Sequence, residues 1–128
     1  MRPLHYARTW LVAGLVLLVI GLIAALEPVP SAVAVTFNDK FIHTSGFLVF
    51  MVWFCGIFEA RRAPVIAVAL SSYGILIELL QSLTPTRSAE ALDVVADVVG
   101  VLLGWALSAA GFSRWCATLE SWFVRPDP

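Results

Sequence analysis

The sequence predicts an all-α membrane protein, a bundle of four transmembrane helices with both termini in the cytoplasm. Three observations predict it. The 128 residues are 60% hydrophobic and only 13% charged, with a mean hydropathy of +0.90. That is too apolar for a soluble domain, where apolar usage is roughly half. Four apolar runs are long enough to cross a hydrocarbon core, which takes about 20 helical residues. The basic residues are unevenly divided between the segments joining those runs. Arg2, Arg8, Arg61, Arg62, Arg114 and Arg125 fall on one side, and only Lys40 and Arg87 on the other. The richer side is expected to be cytoplasmic.

The first span covers 10–26 and is stopped by Glu27-Pro28-Val29-Pro30. Ala32-Val33-Ala34 resembles a signal-peptide cleavage site. The apolar stretch exceeds the ~7–15 residues of a signal core, however, so an uncleaved helix is expected. The second span covers 41–58 and ends at Glu59-Ala60-Arg61-Arg62. The third covers 64–83. It opens on Pro64, which suits a first helical turn, and closes at Thr84-Pro85-Thr86. The fourth covers 91–112. Beyond it Phe112, Trp115, Leu119 and Trp122 recur at helical spacing. This stripe reads either as a short interfacial amphipathic helix or as a continuation of the fourth span.

Length allows a single domain over 1–128. Cys55 and Cys116 lack metal-ligand spacing and are expected to be reduced packing residues. A net charge of −1 gives no reason to expect a nucleic-acid partner. The bilayer itself is the expected partner, at the cytoplasmic membrane, and an oligomer is open.

Against this apolar background, three polar clusters stand out: Asn38-Asp39-Lys40-x-x-His43, Glu78-x-x-Gln81 and Arg87-x-x-Glu90-x-x-Asp93-x-x-x-Asp97. The topology places all three at the outer ends of spans two, three and four. Asp39, His43, Gly46 and Phe50 share one helix face, as do Ser71, Gly74, Glu78 and Gln81, and Asp93, Asp97, Gly100 and Gly104. Glu78 lies about 21 Å from Pro64 at 1.5 Å per residue, within the outer part of the bilayer. Gly74, Gly100 and Gly104 are expected to serve helix packing, the last two as a GxxxG.

Some of these charges have structural explanations. Glu90 and Asp93 sit where a helix start favours negative charge, and Lys40 at a span edge can reach the headgroups. Glu78, His43 and Asp97 lie deeper, where an unpaired charge costs several kcal/mol. They are the candidate catalytic residues. Asp39, Lys40, Gln81, Arg87 and Asp93 are the candidate ligand-binding residues.

The order and spacing of Asp39-Lys40-x-x-His43, Tyr73-Gly74-x-x-x-Glu78-x-x-Gln81, Arg87 and Asp93-x-x-x-Asp97-x-x-Gly100-x-x-x-Gly104 resemble the VanZ-like family. These are small multi-pass bacterial membrane proteins named after a teicoplanin-resistance protein. The resemblance runs from about Asn38 to Trp105. It implies a link to the cell envelope and to glycopeptide susceptibility, and it supplies no mechanism. Two positions depart from the family pattern. The family commonly has Asn where Asp97 stands, and an aromatic where Thr44 stands.

The function expected is an outward-facing polar pocket that binds an amphipathic or lipid-linked envelope molecule, or a lipid headgroup. The alternatives are a non-catalytic membrane assembly protein and an enzyme modifying a lipid-linked substrate. In the enzyme, His43 would act as acid or base, and Lys40 and Arg87 would hold an anionic headgroup. No cofactor is demanded, although Asp39, His43, Glu78 and Asp97 offer ligands that suit a divalent metal.

Overall fold

Breaker residues and caps set the helix limits. The computed structural model describes residues 1–28, 38–85 and 90–124. Helix α1 covers Ala7–Leu26, α2 Asp39–Ile57, α3 Ala63–Ser82, α4 Ala91–Ala109 and α5 Trp115–Phe123. Among the described residues there is no strand. Four helices are long and apolar enough to cross a membrane. Asn38 starts α2, its side chain accepting from the Lys40 amide at 2.9 Å. A single 3-10 turn, Ala60–Arg62, leads into α3, which carries Pro64 in its first turn. Proline is tolerated there because the N–H it lacks would have no helical partner. Ala32-Val33-Ala34, Arg87 and Arg125 lie outside the described residues.

The fourth long helix stops at Ala109, three residues before the expected end. Gly111 adopts φ +123°, a conformation that side chains disfavour. A 3-10 turn, Phe112–Arg114, then re-aims the chain into α5. The last helix is therefore a separate element and not a continuation of α4. Its buried face also differs from the aromatic stripe. Cys116 and Glu120 are the buried residues, while Phe112 and Trp122 are 60% and 71% exposed. The reason lies across the molecule, at the start of α1, where Glu120 finds its partners.

Helices α2 and α4 form the principal contact of the bundle and run side by side in the same direction. Gly100 faces the Thr44 carbonyl and Phe47, and Gly104 faces the Leu48 carbonyl and Met51. A Cβ at Gly104 would stand 2.7 Å from the Leu48 oxygen, so small residues permit this backbone approach. Met51, Ile57 and Val101 fill the seam. Helix α1 packs more loosely, with Gly14 its only buried residue. Its contacts include the Tyr73 hydroxyl donating to the Leu18 carbonyl and Gln81 Nε2 donating to that of Ala25. Val12, Val19, Ile23, Val68, Leu79 and Leu102 are more than half exposed, the dress of a lipid-facing surface.

At the end of the bundle opposite His43, polar groups close the helix termini. Arg2 Nε donates to the carbonyls of Cys55 and Phe58 at 3.3 and 2.9 Å, and the Arg2 amide donates to Ile57 at 2.8 Å. These bonds satisfy carbonyls that the last turn of α2 leaves without helical partners. Glu120 does the reverse for α1. Its Oε2 accepts from the His5 amide at 2.7 Å, and its Oε1 accepts from the Tyr6 amide and the Trp10 indole at 2.9 and 2.8 Å. Trp10, Trp53 and Trp115 stack beside it with centroids 4.9–5.8 Å apart. Burial pushes the Glu120 carboxyl up, but the N–H donors and His5 outweigh it and hold the group below the usual value. Burial pushes the Cys116 thiol up to about 12. Both cysteines are free and buried.

Candidate functional site

The polar clusters meet because of the α2–α4 register. On α2, Asp39 and His43 are one turn apart. On α4, Asp93 and Asp97 are likewise one turn apart, and the glycine seam below brings the two pairs face to face. His43 Nδ1 lies 2.8 Å from Asp97 Oδ1. Both residues are buried, Asp97 completely. Thr44 Oγ1 donates to the Ala96 carbonyl at 3.1 Å, which gives this position a helix-joining role that an aromatic side chain lacks. Gly74 on α3 sits over the same carboxylate. A Cβ there would stand 2.5 Å from Asp97 Oδ2, so glycine makes room for the acid.

Lys40 reaches across from α2 to α4. Its Nζ lies 2.8 Å from Glu90 Oε2 and 2.9 Å from Asp93 Oδ1. The ammonium is thus neutralised within the protein, by one half-exposed and one buried carboxylate. Spacing alone gives Glu90 no role beyond a charge at the helix start, yet it joins two elements here. Besides bonding Lys40, its backbone N–H donates to Glu78 Oε2 at 2.9 Å. The only sequence signal for this was that Lys40 and Glu90 share one end of the predicted bundle.

Two carboxylates remain incompletely satisfied. Glu78 Oε1 and Asp97 Oδ2 are buried and have no hydrogen-bond partner among the described residues. Gln81 Oε1 is in the same position, although its amide nitrogen binds α1. Buried polar atoms of this kind are few in native proteins, and each asks for an explanation. Arg87 lies outside the described residues, so the site is built here from Asp39, Lys40, His43, Glu78, Gln81, Glu90, Asp93 and Asp97.

His43 and Asp39 border a cavity of about 160 Å³ between α1 and α2. Its other walls are mostly apolar, including Gly21, Ala25, Phe50 and Ile77. A larger cavity of about 420 Å³ lies nearer the opposite end, between α1 and α3, with Leu11, Leu15, Phe54, Leu70 and Tyr73 in its wall and Arg62 at its rim. Its lining has no imidazole or carboxylate, whereas the smaller cavity adjoins Asp39 and His43.

The VanZ/LLP1 family profile matches residues 5–112. The chain belongs to this family. No curated protein and no solved structure matches it in the corresponding comparisons. The VanZ/LLP1 match takes in α1 to α4 and all the residues of the site, and it stops before α5. Glu120, which closes the far end of α1, lies beyond it.

Proposed function

We propose that this VanZ/LLP1 protein binds the polar head of an amphipathic, lipid-linked envelope molecule at the His43 end, with part of its apolar chain in the adjoining cavity. The observation that carries the reading is the junction itself. A buried His43–Asp97 pair, 2.8 Å apart, lies next to an otherwise largely apolar cavity. An apolar wall with a few convergent polar groups is the usual form of a ligand site. At about 160 Å³ the cavity suits a segment of chain, not a whole lipid.

The His43 end faces outward in this reading, because among the described residues Arg2, Arg8, Arg61, Arg62 and Arg114 lie towards the opposite end and only Lys40 at this one, and basic loops stay cytoplasmic. The protein then sits in the cytoplasmic membrane with both termini inside. The family resemblance adds the cell envelope as the setting and altered glycopeptide susceptibility as the phenotype.

The His43–Asp97 geometry also favours a second reading, an enzyme acting on the same ligand. A carboxylate on Nδ1 fixes the ring and its tautomer and leaves Nε2 to exchange a proton. Purification of the wild-type chain and of His43→Gln, followed by mass spectrometry of the retained lipids, tests the binding reading. A lipid species enriched on the wild type and lost from the variant is expected. Equal retention on both would remove the site from consideration. Conversion of that lipid on incubation would select the enzyme reading.

A further inference from the structure

The larger cavity, towards the end opposite His43, is a crevice between α1 and α3. Helical register builds its walls. Arg62, Val65, Ala69 and Tyr73 line one side. They fall at i, i+3, i+7 and i+11, so they share one face of α3 and the turn before it. Leu11, Leu15 and Leu18 of α1 line the other side at the same kind of spacing. Leu15 and Val65 are 51% and 61% exposed, so the two walls stand apart. At the deep end the Tyr73 hydroxyl donates to the Leu18 carbonyl and ties α1 to α3.

Depth and charge together define what fits. Arg62 and Tyr73 are eleven residues apart, about 16 Å at 1.5 Å per helical residue. One leaflet is half of a hydrocarbon core about 30 Å thick, so the crevice runs the depth of a single leaflet. Its volume, about 420 Å³, lies within the ~300–1,000 Å³ of ligand pockets. Water is a poor occupant, because it needs polar partners that the leucine wall lacks. An empty crevice forfeits dispersion contacts along both walls, and a hydrocarbon chain entering from the bilayer restores them. Arg62, exposed at the rim, then stands at the level of the headgroups. Beside it Arg61 and Glu59 pair with each other at 2.7 Å.

We propose that this crevice holds one acyl chain of an anionic phospholipid from the leaflet at the basic end, with the lipid phosphate on Arg62. A guanidinium pairs with phosphate oxygens through a bidentate fork. Basic pockets between membrane helices recognise anionic lipid heads in this way. A zwitterionic head brings its own ammonium, which Arg61 and Arg62 disfavour. The second chain of the lipid stays among its neighbours in the bilayer. The bound chain gives α1 a partner along the half that faces the crevice, where α1 itself buries only Gly14. The site is separate from the cavity beside His43 and does not depend on it.

The test uses the full-length chain, delipidated in detergent and titrated with phosphatidylglycerol or with phosphatidylethanolamine of identical acyl chains. Native mass spectrometry counts the bound lipid. One phosphatidylglycerol per chain is expected, bound about fivefold more tightly than phosphatidylethanolamine, the effect of one basic residue at an anionic head. Arg62→Gln should remove that preference. Ala69→Phe puts a ring in the space of the acyl chain and should weaken binding of both lipids about tenfold. Arg62 and Ala69 are both exposed, so the two variants keep the bundle folded. Neither should change retention of the species lost from His43→Gln. Equal affinity of the wild type for the two lipids, a preference that survives Arg62→Gln, or unchanged binding in Ala69→Phe would overturn the proposal. So would a concentration-dependent dimer that Ala69→Phe dissociates, because a second copy would then fill the crevice.

Discussion

The two ends of the bundle bury similar kinds of groups and treat them differently. At the Glu120 end, one buried carboxylate accepts three hydrogen bonds, and both of its oxygens are used. At the His43 end, Glu78 and Asp97 each keep a buried oxygen without a partner among the described residues. A fully bonded carboxylate locks two elements together. A partly bonded one is costly to bury, and such groups concentrate at functional sites. The comparison gives the Glu120 end a structural role and supports the proposal that the His43 end binds a ligand.

The strongest way to break the comparison is to separate α2 from α4. A Cβ at Gly100 would run into the Thr44 carbonyl. Gly100→Ala should destabilise by about 3 kcal/mol, the upper range for overpacking, and should abolish ligand retention as well. A melting curve with lipid analysis on the same sample checks both. An unchanged melting temperature would show that the helices do not approach as described.

Glu120→Ala should cost about 2–4 kcal/mol, because three donors lose their acceptor. Ligand retention by the folded fraction should be unchanged. The effect carries a pH signature. The folded carboxyl of Glu120 lies below the usual value, so its contribution is present above the unfolded pKa of about 4.3. It is lost as pH falls through the lower, folded value. The melting-temperature gap between wild type and Glu120→Gln should accordingly be steady at neutral pH and narrow under strong acid. A gap that widened on acidification would contradict the assignment.

At the other end the effects should invert. Glu78→Gln can still accept the Glu90 N–H through its amide oxygen, and it removes a buried charge. Thermal stability should stay level or rise slightly, while lipid retention falls. Smallest of all is Arg61→Ala. Arg61 pairs with Glu59 at 2.7 Å but is 72% exposed, and exposed pairs contribute little. No measurable change in melting temperature or retention is expected.

Much of this fold was legible because membrane helices are long and their breakers are local. Glu27-Pro28, Glu59, Pro64 and Thr84-Pro85 mark limits that the observed helices reach within about three residues, the usual uncertainty of a helix end. The helical period groups Asp39 with His43 and Asp93 with Asp97 without any tertiary information. The contacts between those groups were less readable. The Lys40–Glu90 bond depends on how far α2 and α4 are offset, which the glycines set through packing. The Glu120 end was not readable at all. Its bonds to His5 and Tyr6 join residues 115 and 114 positions apart, and no periodicity carries that distance. Arg2 counted only as a charge for orientation, whereas its side chain closes the end of α2. The aromatic stripe of α5 did mark a helix, with the stripe on its exposed side. In a membrane the exposed face of a helix can be the apolar one.

The most direct test measures melting temperature and retained lipid together in His43→Gln and Glu120→Gln. The account predicts that His43→Gln loses the lipid with a melting temperature closer to wild type. Glu120→Gln should lose melting temperature and keep the lipid in its folded fraction. If both quantities fall in parallel in both variants, the His43 end is packing like the other, and the distinction between the two ends does not hold.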